Sequence, residues 1–125
     1  MIWTLSQVAL GGAIGAVARY LAMVGGLRAF GLHFPWATLA INVAGSFLIG
    51  VLFVWLEARG MLRVAPFAIA GVLGGFTTFS TFSLDALRLW ERGEAGLALL
   101  YVAGSLTLSL AAVAAGVALA RAVLT

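Results

Sequence analysis

The chain lacks cysteine and lysine, and its 125 residues include only four acidic side chains and two prolines. Without cysteine, neither a disulfide framework nor a thiolate metal site is available. The seven basic residues are all arginine and form no basic run, which argues against nucleic acid as a partner. Only 9% of the residues are charged and 64% are hydrophobic. Such a composition is typical of an integral membrane protein and excludes an ordinary soluble domain.

Four apolar runs free of charged residues cover residues 2–18, 36–56, 64–84 and 96–120. A bilayer core about 30 Å thick is crossed by about 20 helical residues. We therefore predict one all-α transmembrane domain over residues 1–125, with helices at about 2–23, 35–57, 64–90 and 95–121. No positively charged segment precedes the first run, so we expect a retained helix rather than a cleaved signal peptide.

Arginine is distributed almost evenly over the two ends of the predicted bundle. An even number of helices places both termini on one side, together with Arg59, Arg63 and Arg121. The other side has Arg28, Arg88 and Arg92, with Arg19 at the edge of the first helix. The positive-inside rule then hardly distinguishes the two orientations. This balance favours insertion both ways and pairing of opposed copies as an antiparallel homodimer; the alternative is that folding or later helices fix one orientation.

Small residues recur at a spacing of four in three of the predicted helices. The pairs are Gly11 with Gly15 and Gly71 with Gly75, and the fourth helix has Ala112, Gly116 and Ala120. Small side chains at this spacing let helix backbones approach closely in lipid. We expect close helix packing at these positions, together with self-association of the chain.

No ionisable side chain is predicted to lie deep in the membrane. The acids are all at span edges, and the single histidine, His33, is in a connection. Because proton-coupled carriers need an ionisable group at membrane depth, the pattern argues against a pump, a proton antiporter or an intramembrane hydrolase. Two alternatives to a channel remain at this point. A small four-helix carrier of the multidrug type is expected to have an acid in its first helix, which residues 2–18 lack, and a non-transporting membrane subunit needs no polar pathway.

Neutral polar residues form two stripes at helical spacing, one of Thr38, Asn42 and Ser46 and one of Tyr101, Ser105 and Ser109. An unpaired amide in hydrocarbon costs several kcal/mol, so Asn42 must face protein or water. Serine and threonine also bond back to the carbonyl four residues earlier, and an asparagine can join two helices. We interpret the two stripes together as the lining of a pathway.

Residues 74–83 read GGFTTFSTFS, in the middle of the third apolar run. Glycine and threonine are poor helix formers, so this stretch predicts a third helix that is broken at mid-membrane. Unwound backbone at that depth is tolerated where protein buries it or a cavity hydrates it, and its carbonyls are suited to hold a cation. Phe79 and Phe82 share a face, and their positive ring edges are suited to line an anion path; the alternative is that both rings face lipid.

Three stretches, GGFTTFSTFS, NVAGSFLIG and GGAIGAVARY, resemble the Fluc family of fluoride channels, also called CrcB proteins. The resemblance extends over the length of the chain, the four helices and the order of the motifs. It implies an antiparallel homodimer of oppositely inserted subunits in the inner or plasma membrane of a prokaryotic cell. It further implies passive fluoride export that excludes chloride and confers fluoride resistance.

The resemblance also implies roles for individual residues. Asn42 donates its amide to fluoride, Phe79 and Phe82 supply ring edges, and a polar track follows the fourth helix through Tyr101, Ser105 and Ser109. We place Thr38 on the same pathway because it belongs to the stripe of Asn42.

Arg19 matches a family arginine near an aqueous vestibule, where its charge would raise the local anion concentration; the alternative is an arginine that anchors the helix end. Backbone carbonyls of Gly74 and Thr77 match those that hold a structural sodium ion, which is not transported. Asp85 departs from the family pattern, in which glutamate follows the phenylalanines.

Overall fold

The computed structural model describes residues 1–124 of the chain. This part of the chain is helical and contains no strand. Four of its helical stretches are long and apolar enough to cross a membrane, namely Ile2–Phe30, Trp36–Ala58, Leu62–Glu91 and Ala95–Leu124. The four predicted transmembrane helices are thereby confirmed, with connections of a few residues between them.

The first helix, α1 (Ile2–Phe30), is longer than the sequence predicted. The stretch after residue 23 continues through Gly25 and Gly26 as helix. It stops at Gly31, whose φ of +77° is in the left-handed region that favours glycine and whose N–H donates to the carbonyl oxygen of Leu27 at 3.0 Å. Helix α2 (Trp36–Ala58) follows Pro35 and starts close to its predicted boundary.

The third span changes its helical type along its length. It begins with a 3₁₀ turn at Leu62–Val64, continues as a π-helix over Pro66–Leu73, and has one α-helical turn, α3 (Gly74–Phe76). Residues 77–79 are not helical, and Thr77 has an extended backbone with ψ of 159°. Helix α4 (Ser80–Glu91) completes the span. We refer to residues 77–79 as the interruption.

Glycine contacts set the packing of the helices. A Cβ on Gly11 or Gly15 of α1 would overlap backbone carbonyl oxygens of the third span, those of Phe67 and Val72. Likewise, Gly116 of α5 (Ala95–Leu124) lies against the backbone of α2 at Phe47. The close approaches predicted from small-residue spacing are therefore confirmed, and they occur within one chain.

A small core lies near one end of the bundle, between α4 and α5. It consists of Phe82, Leu89, Ala98 and Tyr101, with Phe34 packed against it. The ring of Phe34 meets that of Tyr101 edge to face, with centroids 5.5 Å apart. Most other large apolar side chains are exposed on the outside of the chain, where a membrane protein meets lipid or another protein.

Candidate functional site

A cavity of about 410 Å³ lies between α2, the interruption and α5. Its lining includes most of the predicted pathway residues, namely Asn42, Phe79, Phe82, Ser105 and Ser109. Gly74 and Thr77, predicted to hold sodium, line it as well, and no charged residue does. We call it the neutral cavity. Parts of both polar stripes, from α2 and α5, meet there with the two phenylalanines of the third span.

Asn42 is paired with the backbone of the interruption. Its Nδ2 donates to the carbonyl oxygen of Thr78 at 2.8 Å, and its Oδ1 accepts from the N–H of Thr78, also at 2.8 Å. The side-chain amide thus binds both the N–H and the C=O of one residue, as a neighbouring strand would. Since a primary amide has two N–H groups, the second N–H of Nδ2 is still able to donate to another acceptor. The sequence does not indicate this partner, because helical spacing relates residues only within one helix.

The interruption frees several carbonyl groups, and only some of them have donors. The carbonyl oxygen of Leu73 accepts from both the N–H and the hydroxyl of Thr77, each at 3.0 Å. Within residues 1–124, no hydrogen bond reaches the carbonyl oxygens of Gly74, Phe76 or Thr77. The residues whose carbonyls were expected to hold a cation are therefore among those left with acceptor capacity.

The side chain of Arg19, on α1, reaches the helical turn α3 that comes just before the interruption. Its Nε donates to the carbonyl oxygen of Gly75 at 3.0 Å, in a partly buried position. Arg19 lies outside the lining of the neutral cavity and of the larger cavity described below. The expected vestibule role of Arg19 stays a prediction, but the side chain has a specific acceptor in the protein.

The two phenylalanines have different environments. Their ring centroids are 5.5 Å apart with planes inclined at 56°. Phe82 is buried, with 8% of its surface exposed, and packs on Tyr101 at 5.2 Å between centroids. Phe79 is 73% exposed. Phe82 is thus fixed by the chain itself, whereas Phe79 protrudes from it.

Thr38 and Tyr101 are not part of the lining of the neutral cavity. Both are only 1% exposed, and the hydroxyl of Tyr101 donates to a carboxylate oxygen of Asp85 at 3.2 Å. Thr38 and Asp85 line a second cavity of about 650 Å³ together with charged side chains, including Arg88 and Arg92. We call this one the charged cavity. Tyr101 touches Phe82 on one side and Asp85 on the other, and so lies between the two cavities.

The two serines of the second stripe, Ser105 and Ser109 on α5, line the neutral cavity. Ser105 is 6% exposed, and its hydroxyl oxygen is buried with no hydrogen-bond partner among the described residues. A buried hydroxyl without a partner is unusual, because desolvation then goes uncompensated. It is a donor available to a ligand in the cavity.

Side-chain ligands do not explain a metal site in this region. Across residues 1–124 there is no group of three or more acidic or histidine side chains suited to hold a metal ion. The backbone carbonyls without donors from any described residue, those of Gly74, Phe76 and Thr77, are oxygens that could bind a cation at the start of the interruption.

These helices and cavities define a multi-pass membrane protein with an uncharged polar cavity between its helices. The chain belongs to the CrcB family: the family model described as CrcB-like protein, Camphor Resistance (CrcB), matches residues 6–117. It is similar to a protein of Cereibacter sphaeroides, with 60% identity over 121 residues that cover 97% of each chain. A relative in Agrobacterium fabrum is 55% identical over 120 residues, covering 94% of this chain and 95% of the relative. Another, in a Ruegeria species, is 52% identical over 126 residues and the whole of both chains. Each of the three is called fluoride-specific ion channel FluC.

Proposed function

We propose that this protein is a passive, fluoride-selective channel of the bacterial inner membrane, not an enzyme, that exports fluoride from the cytoplasm and confers fluoride resistance. The observation that carries the proposal is the neutral cavity, where an amide, three serine side chains and two phenylalanine rings converge without a charged group. The names of the similar proteins point to the same ion.

The chemistry of the cavity fits a small, strongly hydrated anion. The free N–H of Asn42 and the unpartnered hydroxyl of Ser105 replace part of the water shell that fluoride loses on entering. Ring edges of Phe79 and Phe82 add weak positive potential. A cationic side chain in direct contact with fluoride would bind it too tightly, and conduction requires that the ion also leaves. Close, neutral donors favour fluoride over chloride, because the larger anion gains less electrostatic energy from them.

The neutral cavity is open on the outside of the chain, beside the protruding ring of Phe79 and the exposed Leu106 and Leu110. A polar cavity open to hydrocarbon is unfavourable. We therefore propose that a second, oppositely inserted copy closes it, which gives the antiparallel homodimer expected from the arginine balance. In that dimer, the rings lining each pathway come from both subunits.

A structural sodium ion fits the interruption. The carbonyl oxygens of Gly74 and Thr77 lack donors in the described chain, and hard oxygen ligands suit such a cation. The ion would supply fixed positive charge that holds these carbonyls of two subunits together, and it would not be transported.

Fluoride efflux from liposomes containing the purified protein tests the channel proposal. A fluoride electrode should report rapid release without an imposed proton gradient, and a chloride electrode should report little release from matched vesicles. Release that requires a proton gradient would support a carrier instead. Absence of release from a correctly folded protein would contradict the channel and favour the non-transporting subunit.

Replacement of sodium by a large organic cation tests the ion separately. The fraction of dimer in detergent should fall when sodium is removed and recover when it is restored. Potassium at equal ionic strength is the control for screening. A dimer fraction independent of the cation would contradict the sodium site while leaving the channel proposal intact.

A further inference from the structure

We infer that Arg19 is a positioning residue that holds the interruption of the third span in its non-helical conformation through the carbonyl of Gly75. The inference deepens the proposed function and rests on it. Its basis is the hydrogen bond of 3.0 Å from Nε of Arg19 to that carbonyl oxygen.

The acceptor of this bond is a group that the interruption would otherwise leave unpaired. In a continuous helix, the carbonyl of Gly75 accepts from the N–H of Phe79, four residues on. The extended backbone at Thr77 takes the chain away from that geometry. Arg19 supplies the missing donor, and a bond from a charged donor is stronger than the neutral one it replaces.

The glycines of α1 bring Arg19 to this place. Gly11, Gly15 and Arg19 follow one another at a spacing of four, on one helix face. Gly15 lies so close to the third span that a Cβ there would be 2.9 Å from the backbone nitrogen of Phe76. The next turn of α1 therefore faces the start of the interruption, which is where the guanidinium binds.

The positive charge of the Arg19 guanidinium also limits which carbonyl oxygens can bind a cation. A guanidinium on the Gly75 oxygen repels sodium from that oxygen, since like charges at short range in a poorly hydrated site repel strongly. The oxygens left to the ion are those of Gly74, Phe76 and Thr77. Arg19 thus keeps the interruption open and directs sodium to one set of its carbonyls.

Lysine and glutamine at position 19 separate positioning from a charge effect. Arg19→Lys keeps the charge but places a methylene where Nε donates, and Arg19→Gln removes the charge as well. We expect both variants to raise the sodium concentration for half-maximal dimer by about tenfold, because a hydrogen bond to a charged group is lost. Both should lower fluoride efflux. Arg28, exposed in the last turn of the same helix, provides the matched control pair, Arg28→Lys and Arg28→Gln, which should leave both readouts unchanged.

Recovery of the wild-type sodium midpoint and efflux by Arg19→Lys would overturn the inference in favour of a pure charge effect. Unmoved sodium midpoints in both Arg19 variants would also overturn it. If the fraction of wild-type dimer did not depend on sodium, that result would contradict both the sodium site and this inference. The efflux assay distinguishes that case from failure of the channel proposal.

A measurement on the wild-type chain does not depend on the folding of any variant. Binding linkage is reciprocal, so sodium should strengthen the bond between Arg19 and Gly75. The Nε–H signal of Arg19 in ¹⁵N-labelled protein should exchange with water more slowly in sodium than in the organic cation. Equal exchange rates in the two salts would contradict the inference.

Discussion

Truncation of Asn42 to alanine tests the pairing between α2 and the interruption. The substitution removes two hydrogen bonds of 2.8 Å and leaves both the N–H and the carbonyl of Thr78 without partners. At about 1 kcal/mol net for each bond, the loss is about 2 kcal/mol, and it rises towards about 1–3 kcal/mol for each group if water cannot reach them. A loss of about 2 kcal/mol shifts the unfolding equilibrium about thirtyfold.

The assay is equilibrium unfolding in mixed micelles at constant sodium, with increasing dodecyl sulfate and far-UV circular dichroism as the signal. Ser46→Ala is the matched control. Ser46 is one helical turn further along α2 and lines the same cavity, and its hydroxyl makes no hydrogen bond to any described residue. We expect the Asn42→Ala midpoint to lie clearly below that of the control. Coincident midpoints would refute the reasoning, because the two bonds would then contribute nothing to stability.

Four further substitutions address the cavity and the helix packing. Phe79→Ile and Phe82→Ile should each lower fluoride efflux from folded protein, and normal efflux in both would remove the role of the ring edges. Asn42→Asp should abolish efflux, since it places a carboxylate in an anion path; unchanged efflux would move the pathway elsewhere. Gly11→Ala should destabilise the chain by about 1–3 kcal/mol, because its Cβ would overlap the third span. Gly12→Ala, with nothing within 4 Å of the new Cβ, should be neutral or slightly stabilising in the same unfolding assay, and equal midpoints for these two variants would contradict the packing argument.

The sequence predicts the helices well because hydrophobic length is a local property. Four apolar runs give four spans, and the end of α2 at Ala58 is within a residue of expectation. The end of α1 was placed too early, since Gly25 and Gly26 continue the helix and Gly31 ends it. Glycine is compatible with both a helix interior and a helix end, and the sequence does not say which.

The position of the interruption also differs in detail from expectation. Unwinding was expected within residues 74–83, where glycine and threonine are frequent; Gly74 and Gly75 are helical, and the backbone becomes extended at Thr77. The reason lies in packing: a Cβ on Gly75 would be 2.7 Å from the carbonyl oxygen of Gly12, so this glycine permits a close approach instead of a turn. The N–H and hydroxyl of Thr77 still donate to the carbonyl oxygen of Leu73, and the extended backbone of Thr77 then ends the turn.

Grouping of the site residues was predicted only in part. Asn42, Phe79 and Phe82 do line one cavity, whereas Thr38 and Tyr101 are buried beside it. Residues at a spacing of four share a helix face, but a face can pass from a cavity into a packed core within one turn. The bonds of Asn42 and Arg19 to the third span join residues 36 and 56 positions apart, and no spacing rule applies to such pairs.

The pairing of Asn42 with Thr78 limits how this position can evolve. The N–H and carbonyl of Thr78 need an acceptor and an uncharged N–H donor on adjacent atoms of one planar group, and the side-chain amides of asparagine and glutamine provide this arrangement. In the genetic code, the asparagine codons differ from those of glutamine at two bases. A single base change that alters the amino acid therefore always removes this amide, and selection for the pairing should hold asparagine itself, not merely a polar residue, in place.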